Sequence, residues 1–176
     1  MESLTGIGLT RSMLTDPRER SMVMSFVVLV VALVAAGLFA GLFYAYTVSV
    51  MPGLARGDDR TFVEGMRGIN IAIVNGWFML TFLGAPILAG VGLFLNLHGG
   101  AVLWWTIAGF GCLVAVLIIT GALSIPLNNA LEAGTEGYAR LRAQFEAPWV
   151  KWNLVRTLFA LAGFGCLLGA VLSRRV

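Results

Sequence analysis

Charged side chains are scarce in this 176-residue chain: Asp, Glu, Lys and Arg make up 12% of it, against about 25% in a typical soluble domain. Hydrophobic residues make up 59%, and the mean hydropathy is +0.88. The formal net charge of +3 comes from scattered arginines, so a patterned basic face for nucleic acid is excluded. We predict a multi-pass integral protein of a bacterial-type cell membrane, with the lipid bilayer as a partner and no nucleic acid.

Metal-binding side chains are equally scarce, because the chain has one histidine, His98, and two cysteines, Cys112 and Cys166. One histidine and two separated cysteines do not form a usual zinc or copper site, so no metal site is predicted. We expect His98 in a surface turn and both cysteines as packing residues. The sequence leaves open whether any of the three has a further role.

Four long apolar runs predict the architecture, since about 20 residues suffice to cross a bilayer. We predict an all-α bundle of four transmembrane helices that forms a single domain, residues 22–176, behind a polar tail, residues 1–21. The predicted helices are approximately 22–50, 60–96, 102–123 and 149–172. The sequences Met51-Pro52-Gly53 and Ser124-Ile125-Pro126 are expected to end the first and third helices.

Two polar segments connect these helices on one side of the bundle. In the first, Asp58 or the capping-box spacing of Thr61 and Glu64 predicts a helix start, and the helix is expected to continue unbroken into the second transmembrane run. In the second, an apolar stripe predicts an interfacial amphipathic helix between helices three and four. The termini then share the opposite side, which we expect to be cytoplasmic.

Small residues at GxxxG spacing occur in the first and fourth helices, at Gly37 and Gly41 and at Gly165 and Gly169. Such faces allow another helix to approach closely. All of them can be used within one chain, so an oligomer is compatible with the sequence but is not indicated by it.

The remaining polar and aromatic side chains concentrate on the side of the two connecting segments, and they come from all four predicted helices. They are Tyr44, Tyr46, Glu64, Arg67, Asn70, Asn75, Asn128, Asn129, Trp149, Trp152, Asn153 and Arg156. One interpretation is a single polar pocket where the helices converge. The other is structural, with amide contacts between helices and Glu64 or Glu146 pairing Arg156.

The chain resembles a known family in four stretches: GLFYAYTVSVMPGL, DDRTFVEGMRGIN, IPLNNAL and FEAPWVKWNLVRT. Together they are similar to the DUF1772 family of anthrone oxygenase-like membrane proteins, over approximately Ala35 to Leu158. The resemblance implies a four-helix membrane fold. It also implies the activity of the named fungal members, which oxidise an anthrone to an anthraquinone with dioxygen in polyketide pathways, although many bacterial members have no assigned activity.

The implied reaction needs no metal or organic cofactor, because the delocalised carbanion of an anthrone can itself donate an electron to dioxygen. The protein must supply a base, a group that stabilises the enolate oxygen, and an apolar cavity. We therefore predict oxidation of an anthrone or another electron-rich phenolic aromatic. The catalytic residues of this hypothesis are a partly buried Glu64 as the base, with Arg67 and Arg156 holding the oxyanion. The substrate-binding residues are Tyr44, Asn70, Asn75, Asn128, Asn129, Trp149, Trp152 and Asn153.

A non-enzymatic function is the alternative. The same bundle could bind a lipid or a quinone-like molecule, or serve as an accessory membrane subunit. This alternative predicts no consumption of dioxygen with any phenolic substrate. A transporter fits less well, because the chain has no inverted repeat of broken helices.

Overall fold

The computed structural model describes residues 16–174, and these residues fold almost entirely into helices with no strand among them. The helices are α1 (Pro17–Leu54), α2 (Asp59–Ile73), α3 (Gly76–Leu95), α4 (Ala101–Ala133) and α5 (Tyr138–Leu172). In this part of the chain α1, α3, α4 and α5 are long and apolar enough to cross a membrane. The predicted four-transmembrane-helix bundle is therefore confirmed.

Among the described residues the bundle encloses three hydrophobic clusters, of which the smallest consists of Leu29, Val102 and Ala170 from α1, α4 and α5. In the membrane cluster, α1 packs against α3 and α5, and α4 packs along α5. Its buried side chains are Ala32, Ala36, Phe39, Ala40, Phe43, Ala85, Ala89, Leu113, Val116, Ala160 and Leu167. The loop-side cluster lies beyond it, where α2 and the first turns of α5 meet the ends of α1 and α4. Its buried side chains are Met51, Phe62, Val63, Met66, Leu131, Leu141, Phe145 and Trp149.

Neither Pro52 nor Pro126 ends its helix, so both predicted helix ends are wrong. Each proline follows a π-helical turn, at Tyr46–Val50 in α1 and Thr120–Ser124 in α4. A proline ring inside a regular helix clashes with the carbonyl four residues earlier. The extra residue of the π turn relieves that clash, and both helices continue beyond the proline, to Leu54 and to Ala133.

The predicted unbroken helix over residues 60–96 is also wrong, because the chain leaves helical geometry at Val74 and Asn75. The Asn75 side chain donates to the carbonyl of Ala72 at 2.8 Å and accepts from the N–H of Phe78 at 3.0 Å. Asparagine side chains compete with the backbone in this way. Asn75 therefore separates α2 from α3 and caps the start of α3.

The amphipathic stretch before the fourth transmembrane run is not a separate interfacial helix. It forms the first turns of α5, which extends over 35 residues with Pro148 inside it. Because Leu141, Phe145 and Trp149 are buried in the loop-side cluster, the apolar stripe faces protein and not the membrane surface. The predicted start of the fourth helix at residue 149 is corrected to Tyr138.

For the side of the bundle that carries the termini, the sequence predicted a polar tail, residues 1–21, and a surface turn at His98. Residues 1–15 of the expected polar tail lie outside the described residues. Pro17–Ser21 is helical, since Asp16 caps α1 by accepting from the N–H of Arg18 at 2.8 Å. His98 lies in the short turn between α3 and α4, as expected.

Candidate functional site

A cavity of about 520 Å³ lies between the membrane cluster and the loop-side cluster. All five helices contribute to its wall. Its apolar lining is Leu42, Phe43, Ile69, Ile71, Ile73, Val74, Phe78, Met79, Phe82, Ile125 and Trp149, and its polar lining is Tyr46, Asn70, Thr120, Asn128, Asn129, Glu132, Asn153 and Arg156. A cavity of this size, mostly apolar with a few converging polar groups, is typical of a small-molecule site.

The structure brings six of the sequence-predicted site residues together around this cavity. They are Asn70, Asn128, Asn129, Trp149, Asn153 and Arg156. On α5, residues 149, 153 and 156 share one helical face at spacings of four and three. The asparagines come from the end of α2 and from α4 after its π turn.

Glu64 and Arg67 lie outside the cavity. The Glu64 side chain is 49% exposed and pairs with Arg67 at 3.4 Å. Arg67 in turn donates to the carbonyls of Leu131, at 3.0 and 3.1 Å, and Gly134, at 2.7 Å. Cationic side chains often satisfy free carbonyls at helix C-termini. Arg67 therefore links α2 to the C-terminal end of α4 through hydrogen bonds.

Three other predicted site residues are also absent from the cavity wall. Tyr44 is exposed on the outer surface of α1, and Asn75 is exposed and caps α3. Trp152 points toward Lys151, whose ammonium lies 5.5 Å from its ring centre. Helical phase turns Tyr44 and Trp152 away from the cavity, whereas the Asn75 side chain is used in capping α3.

Arg156 is the most unusual group of the site, since its residue is only 5% exposed. Its guanidinium lies 4.7 Å from the ring centre of Phe43 and 5.3 Å from that of Trp149. One Nη donates to the Asn153 side-chain oxygen at 3.1 Å, whereas Nε is buried without a hydrogen-bond partner.

No carboxylate of residues 16–174 lies within ion-pair distance of Arg156. Glu64 pairs with Arg67, and Glu146 pairs with Arg142 at 2.6 Å. The interpretation of Arg156 as structural glue with Glu64 or Glu146 is therefore wrong. An arginine buried near the membrane without a counter-ion is costly and typically faces a functional cavity.

Asn153 positions Arg156 by joining it to the π turn of α1. Its Nδ2 donates to the carbonyl of Phe43 at 3.2 Å and to the Thr47 hydroxyl at 2.9 Å. Its Oδ1 accepts from Arg156. Because both ends of the amide are used within the protein, Asn153 is a positioning residue and not a ligand donor.

Two other amides leave donors available. Asn128 accepts from the indole N–H of Trp149 at 2.9 Å, and its own Nδ2 has no partner in the described part of the chain. The Nδ2 of Asn70 is buried without a partner. Buried polar groups without partners are rare in folded proteins. Here two of the three described examples, at Asn70 and Arg156, belong to residues that line the cavity, and the third is Ser124.

Sequence reasoning missed Glu132 in the wall, and it included Tyr46 among the side chains of the polar pocket without naming it as a site residue. Tyr46 follows Phe43 by three residues, and its ring centre lies 5.6 Å from that of Trp149. Glu132 follows Asn128 by four residues and is therefore on the same helical face. That spacing is a signal that could have found it. Glu132 is exposed at the rim and is the one carboxylate among the described lining residues.

The geometry combines a desolvated cation, amide donors and aromatic rings around an apolar space. Such donors stabilise an oxygen that becomes negatively charged, because a water-poor site strengthens the interaction. Among residues 16–174 no three side chains of His, Cys, Asp or Glu come together as a metal-binding group. The absence of a metal or organic cofactor stays a prediction.

The fold and this cavity define a multi-pass integral membrane protein with a mostly apolar cavity between its helices, on which a few polar side chains converge. The family model described as anthrone oxygenase matches residues 76–166, which span α3, α4 and most of α5. The match covers slightly more than half of the chain, so the protein belongs to the anthrone oxygenase family, as the sequence motifs predicted. Neither a search of curated proteins nor one of solved structures gave a match.

Proposed function

We propose that this protein is a membrane oxygenase that oxidises an anthrone-type or other electron-rich phenolic aromatic to a quinone with dioxygen, without a metal or organic cofactor. The observation that carries the proposal is Arg156, a buried guanidinium with no carboxylate partner in the described chain, on the wall of an apolar cavity. An enolate or phenolate oxygen would supply the missing counter-charge.

The walls suit a flat aromatic ligand. Trp149 and Phe43 both lie against the guanidinium and line the cavity, and Phe78 and Phe82 line it from α3. Aromatic groups pack on one another in offset or edge-to-face geometry, which stabilises a contact by about 0.5–1.5 kcal/mol beyond burial. Asn70 and Asn128 would donate to the same oxygen or to a neighbouring phenol.

Glu132 replaces Glu64 as the proposed base, because Glu132 lines the cavity and Glu64 does not. In the reaction, Glu132 takes a proton from the methylene carbon, and the carbanion gives one electron to dioxygen. The two radicals join through a new C–O bond, and protonation gives a hydroperoxide. Loss of the second methylene proton with cleavage of the O–O bond then releases water and the quinone, so no external reductant is needed.

The test is dioxygen uptake by the purified, detergent-solubilised protein with anthrone, corrected for spontaneous oxidation and accompanied by metal analysis of the same sample. We expect uptake above background in metal-free protein. Arg156→Met should lower kcat by about 100-fold, since loss of one oxyanion donor typically has this effect. Glu132→Gln should lower it by about 100-fold as well, as expected for a general base.

Two further variants make the test specific. Glu136 lies between α4 and α5, is exposed and does not line the cavity. Glu136→Gln should therefore take up dioxygen at the same rate as the unsubstituted protein. Glu64→Gln decides between the two candidate bases, because only the sequence-based hypothesis predicts a loss with this variant. Absence of uptake in the folded parent protein would contradict the oxygenase proposal. Binding of a quinone without turnover would then support the non-enzymatic alternative.

A further inference from the structure

The break between α2 and α3 lies at the wall of the cavity. Ile71 and Val74 both line the cavity, yet they are 68% and 73% exposed. Side chains that contact the interior space and also the outer surface mark a place where the cavity opens outward. The helix break creates this opening, because α2 and α3 do not continue one another across it.

α4 also contributes side chains that line the cavity and reach the outer surface. Ile125, the first residue after the π turn, lines the cavity and is 47% exposed. Asn129 and Glu132 follow on the same helix, and both line the cavity and are exposed. On α4 these side chains are therefore apolar toward the centre of the membrane and polar toward the connecting segments.

The surface beside the opening is apolar. Trp77 is 83% exposed, and Leu80 and Ile87 continue the same outward face of α3, which is a membrane-spanning helix. Exposing such side chains to water would cost about 25 cal/mol per Å² of apolar surface. This face therefore contacts lipid, and tryptophan at its end is typical of the level where acyl chains meet headgroups.

From these observations we infer that a ligand enters the cavity laterally from the bilayer. It passes through the gap between Val74 of the helix break and Ile125 of α4. The inferred substrate class is an uncharged, membrane-partitioned polycyclic molecule with a phenol or ketone oxygen. It enters in its neutral form and acquires charge only beside Arg156. The identity of the substrate rests on the proposed function, whereas the position of the opening does not.

The first experiment tests the position of the opening alone. Val74→Cys, in a chain with Cys112→Ser and Cys166→Ser, is labelled with a bimane fluorophore and reconstituted in lipid nanodiscs. Lipids with brominated acyl chains should quench the label strongly, and iodide in the water should quench it weakly. Glu136→Cys, in the exposed connecting segment, is the control and should show the reverse. Strong iodide quenching with no quenching by brominated lipid at residue 74 would overturn the inference.

The second experiment tests passage through the opening. Stopped-flow fluorescence follows 1,8-dihydroxyanthraquinone as it binds to the protein in nanodiscs. Val74→Trp should slow association and dissociation by the same factor and leave Kd nearly unchanged, because a residue at an entrance changes the barrier and not the bound state. Leu80→Trp, on the same lipid-facing surface but outside the cavity wall, should leave both rates unchanged.

The two experiments separate the failure of this inference from failure of the proposed function. Unchanged rates in Val74→Trp, with normal probe binding, would overturn lateral entry and leave the oxygenase proposal intact. No probe binding in the parent protein would count against the proposed function, and the quenching result would still decide where the cavity opens.

Discussion

Two arginines of α5 show how the same residue type is used in opposite ways. Arg142 pairs with Asp59 and Glu146 and donates to the carbonyls of Ala55 and Gly57, so its charge is compensated inside the protein. Arg156 has one hydrogen bond to a neutral amide, together with two aromatic faces. The first arrangement stabilises the fold, whereas the second leaves a charge available to a ligand.

The substitution to methionine should therefore have opposite effects at these two positions. Arg142→Met should lower the free energy of unfolding, because it removes charge-assisted hydrogen bonds. Arg156→Met should leave it unchanged or raise it, since a buried unpaired charge is replaced by an apolar side chain of similar length. Thermal unfolding in one detergent measures both variants. Equal destabilisation by the two substitutions would argue for a structural role of Arg156.

The sequence predicts which residues line the cavity only to within one helical turn. A strongly apolar chain places few polar groups by chance, and six of the selected residues line the cavity: Asn70, Asn128, Asn129, Trp149, Asn153 and Arg156. The sequence selected Glu64 where the structure has Glu132, since both carboxylates lie in the same polar region. A rotation of about 100° per residue decides which of two neighbours faces inward, and helix packing fixes that rotation.

The helices follow local rules except at the two π turns. At each π turn a threonine hydroxyl adds a hydrogen bond to a carbonyl of the preceding helical turn, and that carbonyl also accepts from a backbone N–H, of Tyr46 in α1 and of Thr120 in α4. Thr47 donates to the carbonyl of Phe43 at 3.1 Å, and Thr120 donates to that of Val116 at 2.8 Å. In α1 the Asn153 amide of α5 adds a further donor. π turns are frequent at functional sites, and here the π turn of α1 contains Thr47, whose hydroxyl accepts from the Asn153 amide that positions Arg156.

The predicted helix start at Asp58 is confirmed. This helix cap leads to a prediction of how the stability of the protein depends on pH. Hydrogen bonds from the hydroxyl and backbone N–H of Thr61 lower the pKa of Asp58 below its ordinary value of 3.8. A group with a lowered pKa in the folded state stabilises the protein above its unfolded pKa, and this contribution is lost as the pH falls through the folded pKa. Asp58→Asn keeps an acceptor but does not titrate.

The stability difference between the parent protein and Asp58→Asn should therefore be largest at neutral pH and should shrink in acid, below roughly pH 4. Thermal unfolding of both proteins in detergent at a series of pH values measures this stability difference. A difference that stays constant down to about pH 2.5 would show that the charge of Asp58 makes no contribution as a helix cap.

The whole bundle depends on a close approach of α4 and α5. A Cβ added at Gly109 would lie 3.1 Å from Leu167 and 3.3 Å from the carbonyl of Gly163, and one added at Gly163 would lie 3.3 Å from Cys112 and Leu113. The predicted glycine pairs are used only in part. Gly37 contacts Phe164 and Gly169 contacts Trp105, whereas Gly41 and Gly165 have no such neighbour in the described chain.

Gly163→Val should consequently destabilise the bundle by about 1–3 kcal/mol, as inserted methyl groups do in a well-packed interior. Gly165→Val is the matched control, because it has the same helix propensity but no described atom within 4 Å of the added Cβ. Unfolding in a mixed detergent measures both. Equal loss of stability in the two variants would show that the change in helix propensity, and not the packing of α4 against α5, causes the loss.

The sequence by itself determined that this is a helical membrane protein, how many helices cross the bilayer, and which family it belongs to. Hydrophobic runs and local motifs are properties of adjacent residues, so they can be read without a fold. Only the tertiary structure decided that α1 and α4 continue past their prolines and that Asn75 divides the second predicted helix. It also decided that Glu132 and not Glu64 lines the cavity, because packing between helices that are distant in the chain sets which side chains face this space.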